Sequence, residues 1–225
     1  MFVKICGVTN EDDALLAVAL GADAVGFVFA PSSRQVAVDR ARDIALRLPR
    51  EVMTVGVFRD ELWTRVVEQV QRAGLDAAQL HGHESAEDSR WVSERVGTTI
   101  KAFPAGHPGL QRIPDYGADI VLIDGTTPGS GQVFDWSLAE GAPKAGHRVM
   151  LAGGLDPENV AEAIKSVKPW GVDVSTGVER APGEKDPVRL RAFIDAAKGV
   201  TLEPATSDSA SERRATGPYD WQDEL

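Results

Sequence analysis

The feature that most constrains this chain is a regular alternation of short apolar runs with helix-forming stretches, sustained almost from end to end. The apolar runs fall at 2–6 (FVKIC), 23–29 (DAVGFVF), 52–58 (VMTVGVF), 76–80 (DAAQL), 98–103 (TTIKAF), 118–123 (ADIVLI), 147–151 (HRVML) and 170–174 (WGVDV). Runs this short and this continuously apolar suit strands buried on both faces, as in a parallel sheet. The intervening segments carry helix signals. Thr9 or Asn10 can cap the first, Glu11, Asp12 and Asp13 suit the positive end of its dipole, and Gly21 closes it. Further helices are expected at 40–48, at 61–73 closed by Gly74, and at 85–96 closed by Gly97. Two weaker ones follow at 107–113 and 136–140. The last two span 156–167, with Asp156 as cap and Pro157 at its first position, and 187–197. Eight strand–helix units of about 25 residues predict a single closed (β/α)8 barrel over residues 1–199. The competing open, doubly wound sheet would carry a Gly-rich nucleotide turn after its first strand, and KICGVTN has one glycine there.

Composition narrows the function classes. The net charge of −10 argues against a nucleic-acid partner, which needs a basic face. Six acids and two arginines in residues 200–225 leave −6 for residues 1–199. That terminal stretch is poor in aliphatic residues and rich in Ser, Thr and charge, so it is expected to be a disordered acidic tail. No apolar run approaches the roughly 18–20 residues of a membrane span, and no basic-then-apolar leader opens the chain. A single cysteine excludes an intrachain disulfide. These features predict a cytoplasmic protein acting on a small molecule, without a membrane partner.

A barrel of this kind places its active site at the carboxyl ends of the strands. After the seventh strand stands LAGGLD, and after the eighth VSTGVE. Gly153, Gly154 and Gly177 leave backbone N–H groups open to an anion, and Ser175 and Thr176 add hydroxyl donors, so this pair of loops reads as a phosphate cradle. A tight turn at Gly153 and Gly154 is the plainer reading. Asp124 ends the sixth strand at the mouth of an apolar barrel, where a desolvated carboxyl can hold a proton to donate. A helix cap or a structural anion fits the same position. Cys6 ends the first strand, and Lys4, two residues earlier, points to the same side and can favour its thiolate. A lone cysteine is also commonly a small buried apolar residue. Arg34 follows the second strand and can clamp a carboxylate in bidentate fashion, or lie on the surface. His81 and His83 lack a third ligand nearby, so no metal site is expected. The stretch 125–131 (GTTPGSG) lacks the GK[ST] ending of a phosphate loop and reads as a lid.

These residues resemble the phosphoribosylanthranilate isomerase family of tryptophan biosynthesis. The likeness covers about residues 2–199 and rests on KICGVTN, GADAVGFVF, the Ser-Arg pair before Val36, VGVF, QLHG, KAF, the strand ending in Asp124, GSG…FDW, LAGGLDPENV and VDVSTGVE…PGEKD. The resemblance implies an Amadori rearrangement of N-(5'-phosphoribosyl)anthranilate with Asp124 as general acid and Cys6 as general base. It assigns Arg34 to the anthranilate carboxylate, Gln79 and His81 to the pocket, and Gly153, Gly154, Ser175, Thr176 and Gly177 to the phosphate. It implies no cofactor, because the substrate's own nitrogen is the electron sink, and a monomer or a homodimer. The acidic tail has no counterpart in the usual pattern. The related histidine-pathway isomerases resemble the chain less: they use aspartate where Cys6 stands and carry a second Gly-rich loop after the third strand. Here that loop is Phe58-Arg59-Asp60. A sugar-phosphate binder without catalysis is the other alternative, favoured only if a catalytic position were replaced.

Overall fold

A computed structural model of the chain describes residues 1–125, 136–139 and 141–201. The expected lid at 126–131 and tail beyond 201 lie outside the described residues. Eight parallel strands close into one barrel: β1 (Phe2–Cys6), β2 (Ala24–Val28), β3 (Met53–Phe58), β4 (Ala77–Leu80), β5 (Thr98–Pro104), β6 (Ile120–Asp124), β7 (Val149–Leu151) and β8 (Gly171–Val174). Closure comes from β1 pairing with β8, with Lys4 opposite Asp173. The outer ring holds α1 (Glu11–Ala19), α2 (Val38–Ala45), α3 (Trp63–Ala73), α4 (Ala86–Ser93), the single turn α5 (Gly141–Lys144), α6 (Val160–Val167) and α7 (Pro187–Lys198). A two-stranded hairpin, β9 (Glu179–Ala181) with β10 (Glu184–Lys185), stands between β8 and α7.

Side-chain alternation sorts each strand into two layers. Val3 and Ile5 of β1 point out to the core shared with the helices, and so do Val25 and Phe27 of β2. Cys6 of β1 points in, against a smaller cluster that includes Ala24, Val57, Ile100, Leu122, Met150 and Ala152. The caps work as the residue types require: Asn10 accepts from the Asp13 N–H, Ser85 from the Asp88 N–H, and Asp186 from Val188 and Arg189.

The helices differ from expectation where the local chemistry is weakest. The segment 107–113 forms two 3-10 turns, Pro108–Gln111 and Ile113–Tyr116, each with a proline in its first positions. The segment 136–140 gives only a 3-10 turn, Trp136–Ala139. The helix expected from Asp156 starts at Val160. Asp156 still caps, but its carboxylate accepts from Glu158 and Asn159 in the turn that precedes the helix. The hairpin β9–β10 was not expected at all, since five strand residues split by a proline and a glycine show no periodicity.

The barrel interior is less apolar than the runs suggest. Lys4, Gln79, Lys101 and Asp173 are all buried inside it. Lys101 Nζ pairs with Glu84 Oε2 at 2.8 Å and also donates to the carbonyls of Gly82 (2.8 Å) and Leu80 (3.3 Å). Removing one partner of such a buried pair strands the other charge. Lys101→Met is therefore expected to lower the free energy of unfolding by about 3–5 kcal/mol. Urea unfolding measures it, and a cost below about 1 kcal/mol would show that Glu84 does not depend on the lysine.

Candidate active site

The carboxyl ends of the strands surround a cavity of about 360 Å³. Nine of the ten residues singled out from the sequence line it: Cys6, Arg34, His81, Asp124, Gly153, Gly154, Ser175, Thr176 and Gly177. Gln79, the tenth, is fully buried and does not face the cavity. Its amide nitrogen lies 2.7 Å from His81 Nδ1 instead, so it acts on the site through the histidine.

Asp124 is 7% exposed at the end of β6. Its Oδ1 accepts from the Gly125 N–H at 2.7 Å, and its Oδ2 lies 3.0 Å from His81 Nε2. With the Gln79 nitrogen donating to Nδ1, the matching tautomer of His81 has its hydrogen on Nε2 and donates to Asp124. Gln79 Oε1 is buried and makes no hydrogen bond among the described residues.

Cys6 is likewise 7% exposed. Burial pushes its thiol pKa up, as does Asp173, while Lys4 and Lys185 pull the other way without reversing the rise. Lys4 does face Cys6, as alternation along β1 requires, and hydrogen-bonds both to it and to Asp173 Oδ1 (2.8 Å). Burial opposes the charge on Lys4, yet Asp173 and Cys6 together hold its pKa above the ordinary lysine value. Lys4 favours the thiolate, as expected of a nearby cation, but desolvation outweighs it and the thiol pKa stays above its ordinary value. Gly26 stands beside Cys6 in the ladder, and a Cβ there would meet Cys6 Sγ at 3.0 Å and Lys4 Nζ at 3.1 Å. The absent side chain leaves room for the pair.

Two loops form the facing wall. Gly153 has φ of +85° and Gly154 +68°, and a Cβ on Gly153 would collide with the Gly125 backbone nitrogen, so only glycine serves at that position. The N–H groups of Gly153 and Gly154 make no backbone hydrogen bond among the described residues. The Ser175 hydroxyl is buried and equally without a partner there. Glycine N–H groups and hydroxyls on the loops that line one cavity are the kind of donors an anion such as phosphate requires.

Arg34 reaches this wall from the loop after β2. Its Nε and Nη2 hold Glu179 in bidentate fashion at 2.8 and 2.7 Å, and Nη2 also approaches Thr176 Oγ1 at 3.2 Å. The Glu179 carboxylate raises the Arg34 pKa further. Burial opposes the charge on Glu179, but Arg34 and Lys185 hold its pKa below the usual carboxylate range. Reasoning from the sequence missed the roles of Glu179, Lys185, Asp173 and Arg189. The last lines the cavity from α7 and donates to the Gly177 carbonyl at 2.9 Å. Only the fixed spacing of VSTGVE and PGEKD hinted at any of them. Three or more clustered His, Cys, Asp or Glu residues able to hold a metal do not occur among the described residues.

Comparison with known proteins gives this geometry relatives. Residues 3–196 match the family model described as N-(5'phosphoribosyl)anthranilate (PRA) isomerase. The chain is 50% identical over 203 residues to the N-(5'-phosphoribosyl)anthranilate isomerase of Desulforudis audaxviator, covering 87% of this chain and 97% of the relative. Among solved structures it is similar to a phosphoribosyl anthranilate isomerase in complex with reduced 1-(o-carboxyphenylamino)-1-deoxyribulose 5-phosphate. That likeness has a TM-score of 0.79 and 42% identity over 89% of this chain and all of the other. A monomeric form of the dimeric enzyme from Thermotoga maritima matches with a TM-score of 0.78 and 42% identity, at the same coverage. A barrel with these loops, matched along nearly its whole length, belongs to the phosphoribosylanthranilate isomerase family.

Proposed function

We propose that the chain isomerises N-(5'-phosphoribosyl)anthranilate to 1-(2-carboxyphenylamino)-1-deoxyribulose 5-phosphate in tryptophan biosynthesis. Asp124 is its general acid and Cys6 its general base. The observation that carries the reading is that Cys6 and Asp124, from β1 and β6, open into one cavity walled by the two glycine loops.

Asp124 gives a proton to the ribose ring oxygen; the bond from C1 to that oxygen breaks as the nitrogen lone pair closes a protonated Schiff base. Cys6, as thiolate, removes the C2 proton, and its electron pair moves through C1 to the nitrogen, giving an enolamine. The C2 hydroxyl then loses a proton while C1 gains one, leaving C2 oxidised to a ketone and C1 reduced to a methylene. One proton has moved from Asp124 to Cys6, and its return resets the site. The substrate nitrogen accepts the electrons throughout, so the chemistry calls on no cofactor.

The glycine loops, Ser175 and Thr176 hold the phosphate, Arg34 meets the anthranilate carboxylate with the face not turned to Glu179, and His81 with Gln79 orients Asp124. The functional unit is residues 1–199, acting in the cytoplasm as a monomer or homodimer with a small-molecule substrate. Among the described residues no helix is long and apolar enough to cross a membrane.

Loss of phosphoribosylanthranilate fluorescence on adding the protein tests the assignment, and no loss would overturn it. The larger substrate of the histidine-pathway isomerases, with two phosphates, is expected not to turn over, because the loop after β3 presents Arg59 and Asp60 without a glycine pair. Measurable turnover of it would remove the single-substrate reading.

A further inference from the structure

The mechanism gives no task to one buried charge that touches the site, that of Lys185. Lys185 closes the hairpin β9–β10, and its side chain is wholly buried beside the cavity rather than lining it. Its ammonium spends three donors on three parts of the site. It reaches the Cys6 carbonyl at 2.6 Å, the Ser175 carbonyl at 3.3 Å and Glu179 Oε1 at 3.1 Å. Glu179 in turn holds Arg34 through both carboxylate oxygens. The hairpin itself is tied down at two points. Thr9 Oγ1 donates to the Gly183 carbonyl at 2.6 Å, and the Lys185 N–H donates to Asp13 Oδ2 at 2.9 Å.

We infer that Lys185 is a positioning residue, through which the backbone of the base, the phosphate loop after β8 and the arginine clamp are held in one arrangement. The inference rests on the roles given above to Cys6, Ser175 and Arg34. Three features support it. A fully buried ammonium is costly unless each donor is used, and here one goes to the backbone of the base, one to the phosphate loop and one to the carboxylate that holds Arg34. Those segments lie far apart in sequence, at 6, 34 and 175–179, and the lysine joins them at one point. An apolar residue of the same volume would fill the space without joining anything.

The charge also matters to Cys6. The charged groups around that thiol are Lys4 on β1, Asp173 on β8, Arg34 after β2 and Lys185 on β10. Lys185 favours the thiolate, so its removal should make the thiol harder to ionise. A residue that merely filled space would not move that ionisation.

Cys6 is the only cysteine, so alkylation of the full chain by iodoacetamide reports it alone. Lys185→Met removes charge and donors. Lys185→Gln removes the charge but can still donate to the carbonyls, and so guards against a Met variant that fails to fold. In each variant that gives a cooperative thermal transition, the pH of half-maximal alkylation rate is expected to rise by about 1. The turnover number should fall by about 10-fold or more and KM should rise as Arg34 loosens. Folded variants with wild-type turnover and an unmoved alkylation profile would overturn the inference. Cys6→Ser, run beside them, separates the two levels. If it keeps near-normal turnover, the reading of Cys6 as base fails. If it is inactive while the lysine variants behave as wild type, only the role of Lys185 fails.

Discussion

Asp124→Asn is expected to lose at least ~100-fold in turnover, the lower end of what a positioned general acid contributes. The amide cannot give a proton to the ribose oxygen, yet it is nearly the same size: its oxygen can still accept from the Gly125 N–H, while its nitrogen takes the place of Oδ2 and donates to His81 Nε2 in the other imidazole tautomer. The fold and the phosphate loops should therefore survive, and KM should change little, placing the loss in the chemical step. The surroundings of Asp124 also say how either of its forms can be held. As arranged, two donors point at it, which suits a carboxylate. The Gln79 amide has a second orientation, with Oε1, now unpartnered, accepting from Nδ1. His81 Nε2 then becomes an acceptor, and the carboxyl O–H of Asp124 can donate to it. With one proton taken up from solvent, one amide rotation lets the same three residues hold an acid instead of a carboxylate. Fluorescence kinetics of the purified variant decide the matter, and turnover within a few-fold of wild type would remove Asp124 from the reaction.

What could be read in advance was whatever depends on period and on strand ends. The eight apolar runs call for a parallel sheet buried on both faces, and eight such units without a Gly-rich nucleotide turn after the first favour the closed barrel over an open doubly wound sheet. Once the barrel is given, Cys6, Asp124 and the two glycine loops must meet, since each follows directly from a strand. Arg34 was legible as a cation near the site but not as a clamped one: its partner Glu179 lies on a hairpin too short to have a periodic signature. The interior charges were hidden for a related reason. In FVKIC or TTIKAF a single lysine reads as an interruption, and only the pairing of β1 with β8 shows that Lys4 lies opposite Asp173.

The helices that went astray share a cause. A helix begun at Pro108 meets Pro114 six residues on, which lacks the N–H to propagate the ladder and disfavours helical backbone before it, so the chain closes two short i to i+3 turns instead. After β7 a similar compromise holds. Asp156 spends its carboxylate on Glu158 and Asn159, and Asn159 returns the bond to the Asp156 N–H at 3.0 Å. That reciprocal pair delays α6 and presents Gly153 and Gly154 to the cavity, so the departure from a regular helix serves the site.

Cys6→Ser should also cost at least ~100-fold, and its pH dependence identifies the reason. A hydroxyl matches the thiol closely enough in size to sit beside Lys4 and Gly26, so folding should be nearly unchanged. It ionises so much less readily that no useful alkoxide exists near neutrality. In the wild type, burial and Asp173 raise the Cys6 pKa, while Lys4 and Lys185 keep the rise from being larger. The sign follows: the base is the thiolate, so a raised pKa moves the competent form to higher pH. The wild-type kcat/KM should accordingly climb with pH on the limb that Cys6 controls. The Lys4 ammonium shares this ionisation, and the two groups titrate as a pair. In Cys6→Ser the limb should vanish along with the activity, leaving a residual rate that is flat over the same range. A serine variant that retained both the rate and the rising limb would assign the C2 proton to another group. Asp173, the remaining buried carboxylate on the cavity wall and already bonded to Lys4, would be the group to replace next.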